Sequence, residues 1–342
     1  MSEPKVQPHP CVFVMIDKRK EDHLRVSIEK DIEFGSTGFE DIRLVHEALP
    51  ELDFDDIDLE IRFLDKILSC PVIIEGITGG IPSAKKINRD LAAIAERFGM
   101  GFGVGSQRMA IEDPRLADTY RVRDVASDIF LIANLGAIQL NCGYGIEECE
   151  LAIEMIDADA LALHINPLHE VIQPEGNRNF SNLIEKVNSI SRELKKPVIA
   201  KCVGSGISYE TAKKLRVSAI DVGGSGGTSW SLIESYRGDK KTKNIGKTFA
   251  GWGIPTAESI REVSKLGVPL IGSGGIRTGL DAAKAIASGA DCVGIALPIL
   301  RRWSSEGKRG VEEFLDQFLT ELRIAMFLTG SNNVGELKGK LR

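Results

Sequence analysis

The chain has 342 residues, 43% of them hydrophobic and 27% charged, with a net charge of −6. That length fits one large α/β barrel or two ordinary domains, and the composition excludes the disordered and fibrous classes. The acidic balance excludes a general attraction to nucleic acid or anionic lipid, so an anionic ligand must be held by local Lys, Arg and backbone N–H groups.

No apolar run reaches the roughly 18 residues that a membrane-crossing helix needs. The N-terminal stretch, MSEPKVQPHPCVFVMIDKRKEDH, shows no small-residue cleavage site. The six cysteines, at positions 11, 70, 142, 149, 202 and 292, form no CxxC pair. They are expected to be reduced thiols in a cytoplasmic protein.

Residues 1–70 are charge-rich and predict a helix followed by an extended segment, an N-terminal cap rather than a second domain. Apolar runs then recur at 71–80, 99–108, 129–137, 160–168, 197–206, 218–227, 268–275 and 292–300. Each ends in glycines or polar residues, and plausible helices lie between them at 84–98, 146–157, 181–195, 208–216, 256–266 and 279–288. Continuous apolar runs mark strands buried on both faces. Eight alternations describe a (β/α)8 TIM barrel over residues 71–330; the even spacing disfavours the rival, a doubly wound open sheet. The lysine-rich stretch 237–247, RGDKKTKNIGK, reads as a mobile solvated loop, with a lid or subunit contact as the alternative. A final helix is expected over 310–328, followed by a tail, 331–342, that frays.

Barrel active sites lie at the C-terminal strand ends. The seventh ending, GSGGIRTGLDAAKAI, places glycines after a strand and opens a helix near Thr278, which suits a phosphate, as does GGSGGT after the sixth strand. The glycine-lined endings of strands one to three leave room for a flat ring system, which suggests a flavin mononucleotide (FMN). Lys201, inside an apolar strand, needs a partner for its charge. Either a flavin edge or a barrel acid could supply it. Arg19, Lys20, His23 and Arg108 are candidates for a second anion site; Arg19 and His23 share a helix face at i, i+4. In HINPLHEVIQPEGN (164–177), two of the chain's five histidines crowd beside Asn166 and Glu170. Mg²⁺ commonly takes one or two carboxylates plus waters and substrate phosphates, so Glu170 is a candidate ligand.

These motifs together resemble the FMN-dependent type II isopentenyl diphosphate isomerases over about residues 18–330. The markers are RKEDHL, GFEDIRLVHEALPE, ITGG, GVGSQR, ANLGA, HINPLHEVIQPEGN, GGTSW, GWGIPT and GSGGIRTGLDAAKAIASGAD. The resemblance implies interconversion of isopentenyl and dimethylallyl diphosphate over reduced FMN with Mg²⁺, NADPH or NADH supplying the electrons and no net redox change. It implies FMN contacts at Ile77, Thr78, Gly79, Ser106, Asn134, Lys201, Gly223 and Thr228. It places the FMN phosphate at Gly274, Gly275, Ile276, Arg277, Ala296 and Leu297. Substrate contacts would be Arg19, Lys20, His23, Ser106, Gln107, Arg108, His164, Asn166 and His169, of which His164, Asn166 and His169 are the catalytic candidates, with Glu170 on the metal. A homo-oligomer, tetramer or octamer, is implied too.

The chain departs from the pattern at several positions. Glutamine is expected where His169 stands, a small residue at Glu75, an acid or amide at Cys202, Ser or Ala at Gly223, and Asp or Asn at Gly251. An FMN-binding homologue with a changed substrate or without isomerase activity is therefore the alternative. A hydroxyacid oxidase would need a histidine near the end of strand six or seven, and GGSGGTSW offers none. An IMP-dehydrogenase-like enzyme would need a cysteine where Ser225 and Thr228 stand.

Overall fold

The computed structural model describes the backbone of residues 10–342 and the side chains from residue 18 onward; Cys11 lies outside the described side chains. Eight parallel strands close into a barrel: β1 (Val72–Ile74), β2 (Gly101–Gly103), β3 (Phe130–Gly136), β4 (Ala160–Ile165), β5 (Val198–Cys202), β6 (Ala219–Asp221), β7 (Leu270–Ser273) and β8 (Cys292–Ile295). The (β/α)8 expectation holds. Helices such as Pro82–Phe98 bury one apolar face, here Ile87, Leu91 and Ile94, against the outside of the barrel.

The two-residue period of a strand decides what fills the interior. Val72, Ile74, Leu131, Leu161, Leu163, Val198, Ile220 and Val293 face the helices. Ile73, Phe130, Ile132, Ala160, Ala162, Ile199, Ala219, Ile271 and Cys292 form a separate cluster inside. One further step along six of the strands gives Glu75, Asn134, His164, Lys201, Asp221 and Ser273. Parallel register sets His164 opposite both Gly136 and Lys201, and Lys201 opposite Asp221. The interior is thus apolar below and polar at its catalytic end.

A hairpin that the sequence reading did not foresee closes the lower end. Ile61–Phe63 pairs antiparallel with Lys66–Leu68. Its Phe63 and Leu68 join the interior cluster, with the Phe63 ring edge-on to Phe130 at 6.0 Å.

The helix Pro10–Glu29 lies at the opposite end, by the barrel mouth. Val26 and the following Ile32 pack with Ile233 and Leu297. The extended chain after it is tied to the loop beyond β6, with Phe34 N–H donating to Gly227 O at 3.1 Å and Ser229 N–H to Ile32 O at 2.8 Å.

Three expectations are corrected. The stretch 237–247 is not a loop: Asp239 caps a helix, Lys240–Thr248, by accepting from Thr242 N–H. That helix packs closely on Trp230–Arg237 through Gly246, where a Cβ would stand 2.3 Å from Ser231 O. The tail does not fray, because Val334 and Leu337 are buried and Arg342 N–H bonds to Arg43 O. The eighth strand stops at Ile295, and helical chain runs from Leu297 to Leu328 with a break at Gly307 (φ 66°, ψ −154°). Among the described residues no helix is long and apolar enough to cross a membrane.

Candidate functional site

A cavity of about 280 Å³ opens at the C-terminal ends of the strands. Its floor is the polar layer set by strand alternation. Lys201 Nζ lies 2.7 Å from Asp221 Oδ2 and 3.0 Å from Glu75 Oε2. Ser273 Oγ and Gly223 N–H both donate to Asp221 Oδ1. The sequence left the partner of Lys201 open, and the structure pairs it with two barrel acids. Burial works against the Lys201 charge, yet Asp221 and Glu75 hold its pKa above the ordinary value. Burial, then repulsion from Asp221, pushes Glu75 up to about 8, and the pull of Lys201 does not reverse this. One cation and two acids buried together are best balanced by one ionised acid; Glu75 carries the proton. Gly294 makes room for it, since a Cβ there would stand 2.3 Å from Glu75 Oε1.

His164 completes the floor, with Nδ1 2.8 Å from Asn134 Oδ1. Burial first, then the charges of His169 and Lys201, depress its imidazole to about 3. It is therefore a neutral hydrogen-bonding group rather than a proton reservoir.

The side wall comes from the loops after β6 and β7 and the helix start after β8. Gly274 and Gly275 take left-handed backbone angles (φ 105° and 71°). The two loops touch: a Cβ at Gly227 would lie 2.4 Å from Gly275 N. Arg277 is held by Glu33 through Nε at 2.7 Å, its Nη2 pairs with the same carboxylate, and Nη1 donates to Ile276 O at 2.8 Å. The helix beginning at Leu297 has Ala296 at its cap and no side-chain cap, and both residues line the cavity. A Gly-lined wall and a helix N-terminus, with the Arg277 guanidinium beside them, suit a phosphate monoester.

The mouth is built from the N-terminal helix and the segments after β2 and β4. Arg19 is largely buried; burial first, and the positive charges of Arg108 and Arg237 in part, lower its pKa from 12.5 despite Glu175. Arg108 pairs with Glu112 at 2.7 Å. Lys20 Nζ donates to Ser106 O at 3.1 Å and Tyr120 Oη at 2.9 Å, and to Gly79 O. Pro167 starts a short helix, Pro167–Ile172, that carries His169 and Glu170. Glu170 is buried, and its two oxygens accept from Asn166 Nδ2 at 3.0 Å and Asn177 N–H at 2.6 Å. Asn166 Oδ1 is buried without a hydrogen-bond partner. A carboxylate beside an unsatisfied amide oxygen fits a hard cation such as Mg²⁺.

His169 and His23 each place Nε2 on the same atom, Glu234 Oε1, at 2.9 and 2.7 Å. Trp230 stacks on His169 with ring centroids 4.7 Å apart. Burial brings His23 down to about 4 in spite of the Glu234 bond. Burial opposes ionisation of Glu234, but the bonds from His169 and His23 keep its carboxyl below the usual range.

Of the sequence candidates, Ile77, Thr78, Ser106, Asn134, Lys201, Gly223 and Thr228 line this cavity. So do Gly274, Gly275, Arg277, Ala296 and Leu297 on the side wall, and Arg19, Lys20, His23, Arg108, His164, Asn166, His169 and Glu170 nearer the mouth. Three do not. Gln107 is fully buried behind the wall, its amide donating to Ala152 O at 2.7 Å and accepting from Asn134 N–H at 2.9 Å. Ile276 belongs to the hydrophobic core. Gly79 lies against Tyr120, whose ring would be 1.9 Å from a Cβ there. Sequence reading missed Asp221, Ser273, Trp230 and Glu234. An acid inside the apolar run SAIDVGG was a readable signal for Asp221; no comparable signal marked Glu234.

Residues 160–342 match the family model described as FMN-dependent dehydrogenase. An isopentenyl-diphosphate delta-isomerase from Archaeoglobus fulgidus is 49% identical over 327 residues, 94% of each chain. Another, from Nostoc sp., is 47% identical over 328 residues, 94% of this chain and 93% of the relative. Among solved structures, a lactate oxidase of Pediococcus acidilactici superposes with a TM-score of 0.66 at 17% identity, covering 98% of this chain and 94% of that one. A mandelate oxidase gives 0.60 at 18% identity, covering 96% and 95%. At such low identity these two oxidases share the fold and nothing more specific.

Proposed function

The chain belongs to the FMN-dependent isopentenyl-diphosphate delta-isomerase family, and from that premise we propose that it interconverts isopentenyl and dimethylallyl diphosphate, as a cytoplasmic step of isoprenoid biosynthesis. The observation that carries the reading is a cavity lined both by the glycine loops with the Leu297 helix start and by Arg19 and Arg108 with Glu170 and Asn166. The glycine loops and the Leu297 helix start suit the phosphate of FMN. Arg19 and Arg108, beside the oxygen donors Glu170 and Asn166, suit a diphosphate with Mg²⁺. Reduced FMN, with electrons from NADPH, would supply the proton-transfer chemistry between them.

The chain's own residues divide the remaining work. Ile77, Thr78, Ser106, Asn134, Gly223 and Thr228 would hold the flavin ring, with Lys201 below it as a buried positive charge steadied by Asp221. Gly274, Gly275, Arg277, Ala296 and Leu297 would hold its phosphate. Arg19, Lys20 and Arg108 would orient the diphosphate by charge-assisted hydrogen bonds, with His23 close by. Neutral His164 would hold its Nδ1 proton on Asn134 and present its other edge to the substrate. His169, with Asn166 beside it, would stand near the reacting carbons in place of the expected glutamine, its Nε2 on Glu234. Residues 1–70 would serve as the substrate-binding cap on the 71–330 barrel, in a homotetramer or octamer.

The reading is tested by anaerobic incubation of the purified protein with FMN, NADPH, Mg²⁺ and isopentenyl diphosphate. Appearance of dimethylallyl diphosphate supports it. A protein that binds FMN yet leaves the substrate untouched favours the second reading, a flavoprotein with a changed substrate, for which the His169–Glu234 pair is the motivating observation.

A further inference from the structure

Of the described residues, His23, His169 and Glu234 form a cluster whose ligand atoms all lie within 4.8 Å of one another. We propose that this cluster is a binding site for one divalent transition ion of the Zn²⁺ class, distinct from the Mg²⁺ position at Glu170.

Two of the three ligand pairs stand near the spacing of a formed site, and the two imidazole nitrogens lie within 4.8 Å of each other. His23 Nε2 and His169 Nε2 stand 2.7 and 2.9 Å from Glu234 Oε1. An ion bonded to nitrogen and oxygen at about 2.0–2.2 Å holds its ligand atoms about 3.0–3.5 Å apart, so these two pairs need to open by only a fraction of an ångström. The ligands are also held in place. Trp230 stacks on the His169 ring at 4.7 Å and meets the His23 ring edge-on at 5.3 Å. Arg237 Nη1 holds the other carboxylate oxygen, Oε2, at 2.5 Å, which leaves Oε1 turned toward the imidazoles. Partners of this kind orient metal ligands in established sites.

The chemistry selects the ion. Two imidazole nitrogens and one carboxylate oxygen suit Zn²⁺, Co²⁺ or Fe²⁺, whereas Mg²⁺ prefers oxygen donors. Both Nε2 atoms face Glu234 Oε1; an ion there takes the Nε2 lone pairs, and a proton on either nitrogen moves to Nδ1 or leaves to solvent. His23 and His169 line the cavity, so an open coordination position faces it and can take water or an anionic oxygen. A glutamine at position 169 would leave only one histidine and one carboxylate. The site does not depend on the identity of the substrate.

The test is calorimetric titration of the full-length FMN-loaded protein with Zn²⁺ in excess Mg²⁺, alongside X-ray absorption of the Zn²⁺-loaded wild type. The proposal expects one Zn²⁺ per chain with imidazole scattering and no sulfur, at least about tenfold weaker binding in His169→Gln, and unchanged affinity in Glu170→Gln. Absence of stoichiometric binding, sulfur ligation, or equal affinity in His169→Gln would overturn it. No isopentenyl diphosphate enters the assay, so its outcome is separable from that of the isomerase reading.

Discussion

Glu75 on the β1 side of the barrel reaches Lys201 on β5, Oε2 to Nζ at 3.0 Å, although the two strands lie on opposite sides of the ring. The contact is possible because Gly294 leaves the intervening space empty. It builds a buried network of one cation and two acids under the cavity.

That network has a pH signature. Glu75 has an ordinary value of 4.5 and is pushed up to about 8 in the folded chain by burial and Asp221. The native state therefore holds a proton that the unfolded chain has released. The Glu75 contribution to stability is fully present below pH 4.5 and is lost as pH rises toward 8. His23 and His164, lowered to about 4 and about 3, act in the opposite sense below their ordinary 6.5. The clean readout is thus the difference between wild type and Glu75→Gln: the melting temperature of the wild type is expected to fall relative to the variant between about pH 5 and 8. Parallel curves would refute the protonated Glu75.

Lys201→Met leaves Asp221 and Glu75 buried without their cation. Breaking a buried ion pair on one side destabilises by about 3–5 kcal/mol, and a chemical denaturation midpoint should record it. Adding Asp221→Asn should recover part of the loss, because the two positions are coupled. An additive double variant would show that the pair does not act as a unit.

Glu170→Gln keeps the shape of the side chain but removes the charge beside Asn166 Oδ1. The Mg²⁺ concentration giving half-maximal isomerase activity should rise about tenfold or more. An unchanged Mg²⁺ dependence would remove Glu170 from the metal site.

Arg19 is half-buried close to Arg108 and Arg237, an arrangement that becomes favourable when a diphosphate enters. Arg19→Ala should raise the KM for isopentenyl diphosphate about 10- to 100-fold, the worth of one charge-assisted hydrogen bond. Steady-state kinetics with kcat and KM separated will check this. A fall in kcat alone would place Arg19 outside diphosphate binding.

The barrel and its catalytic end were legible in the sequence because strands buried on both faces leave long apolar runs, as in IFLIA before Asn134 and ALALHI before Asn166. The period-two alternation that aims Glu75, Lys201 and Asp221 at one another was present too, but their meeting depends on barrel closure, which no local pattern encodes. Gln107 misled for a related reason: its neighbours Ser106 and Arg108 face the cavity, while its own amide is turned behind β3. The helix Lys240–Thr248 was hidden by a composition poor in apolar residues. It is fixed by an Asp cap and one close glycine contact rather than by a hydrophobic stripe. Glu234 lies 65 residues from His169, a pairing made only by the fold.

The central claim is that this cavity moves protons on an allylic diphosphate without consuming electrons. Counting dimethylallyl diphosphate formed against NADPH oxidised, in one oxygen-free reaction with FMN and Mg²⁺, tests it most directly. Product in large excess over oxidised NADPH is the predicted result. Stoichiometric oxidation, or oxidation with no product, would contradict the account.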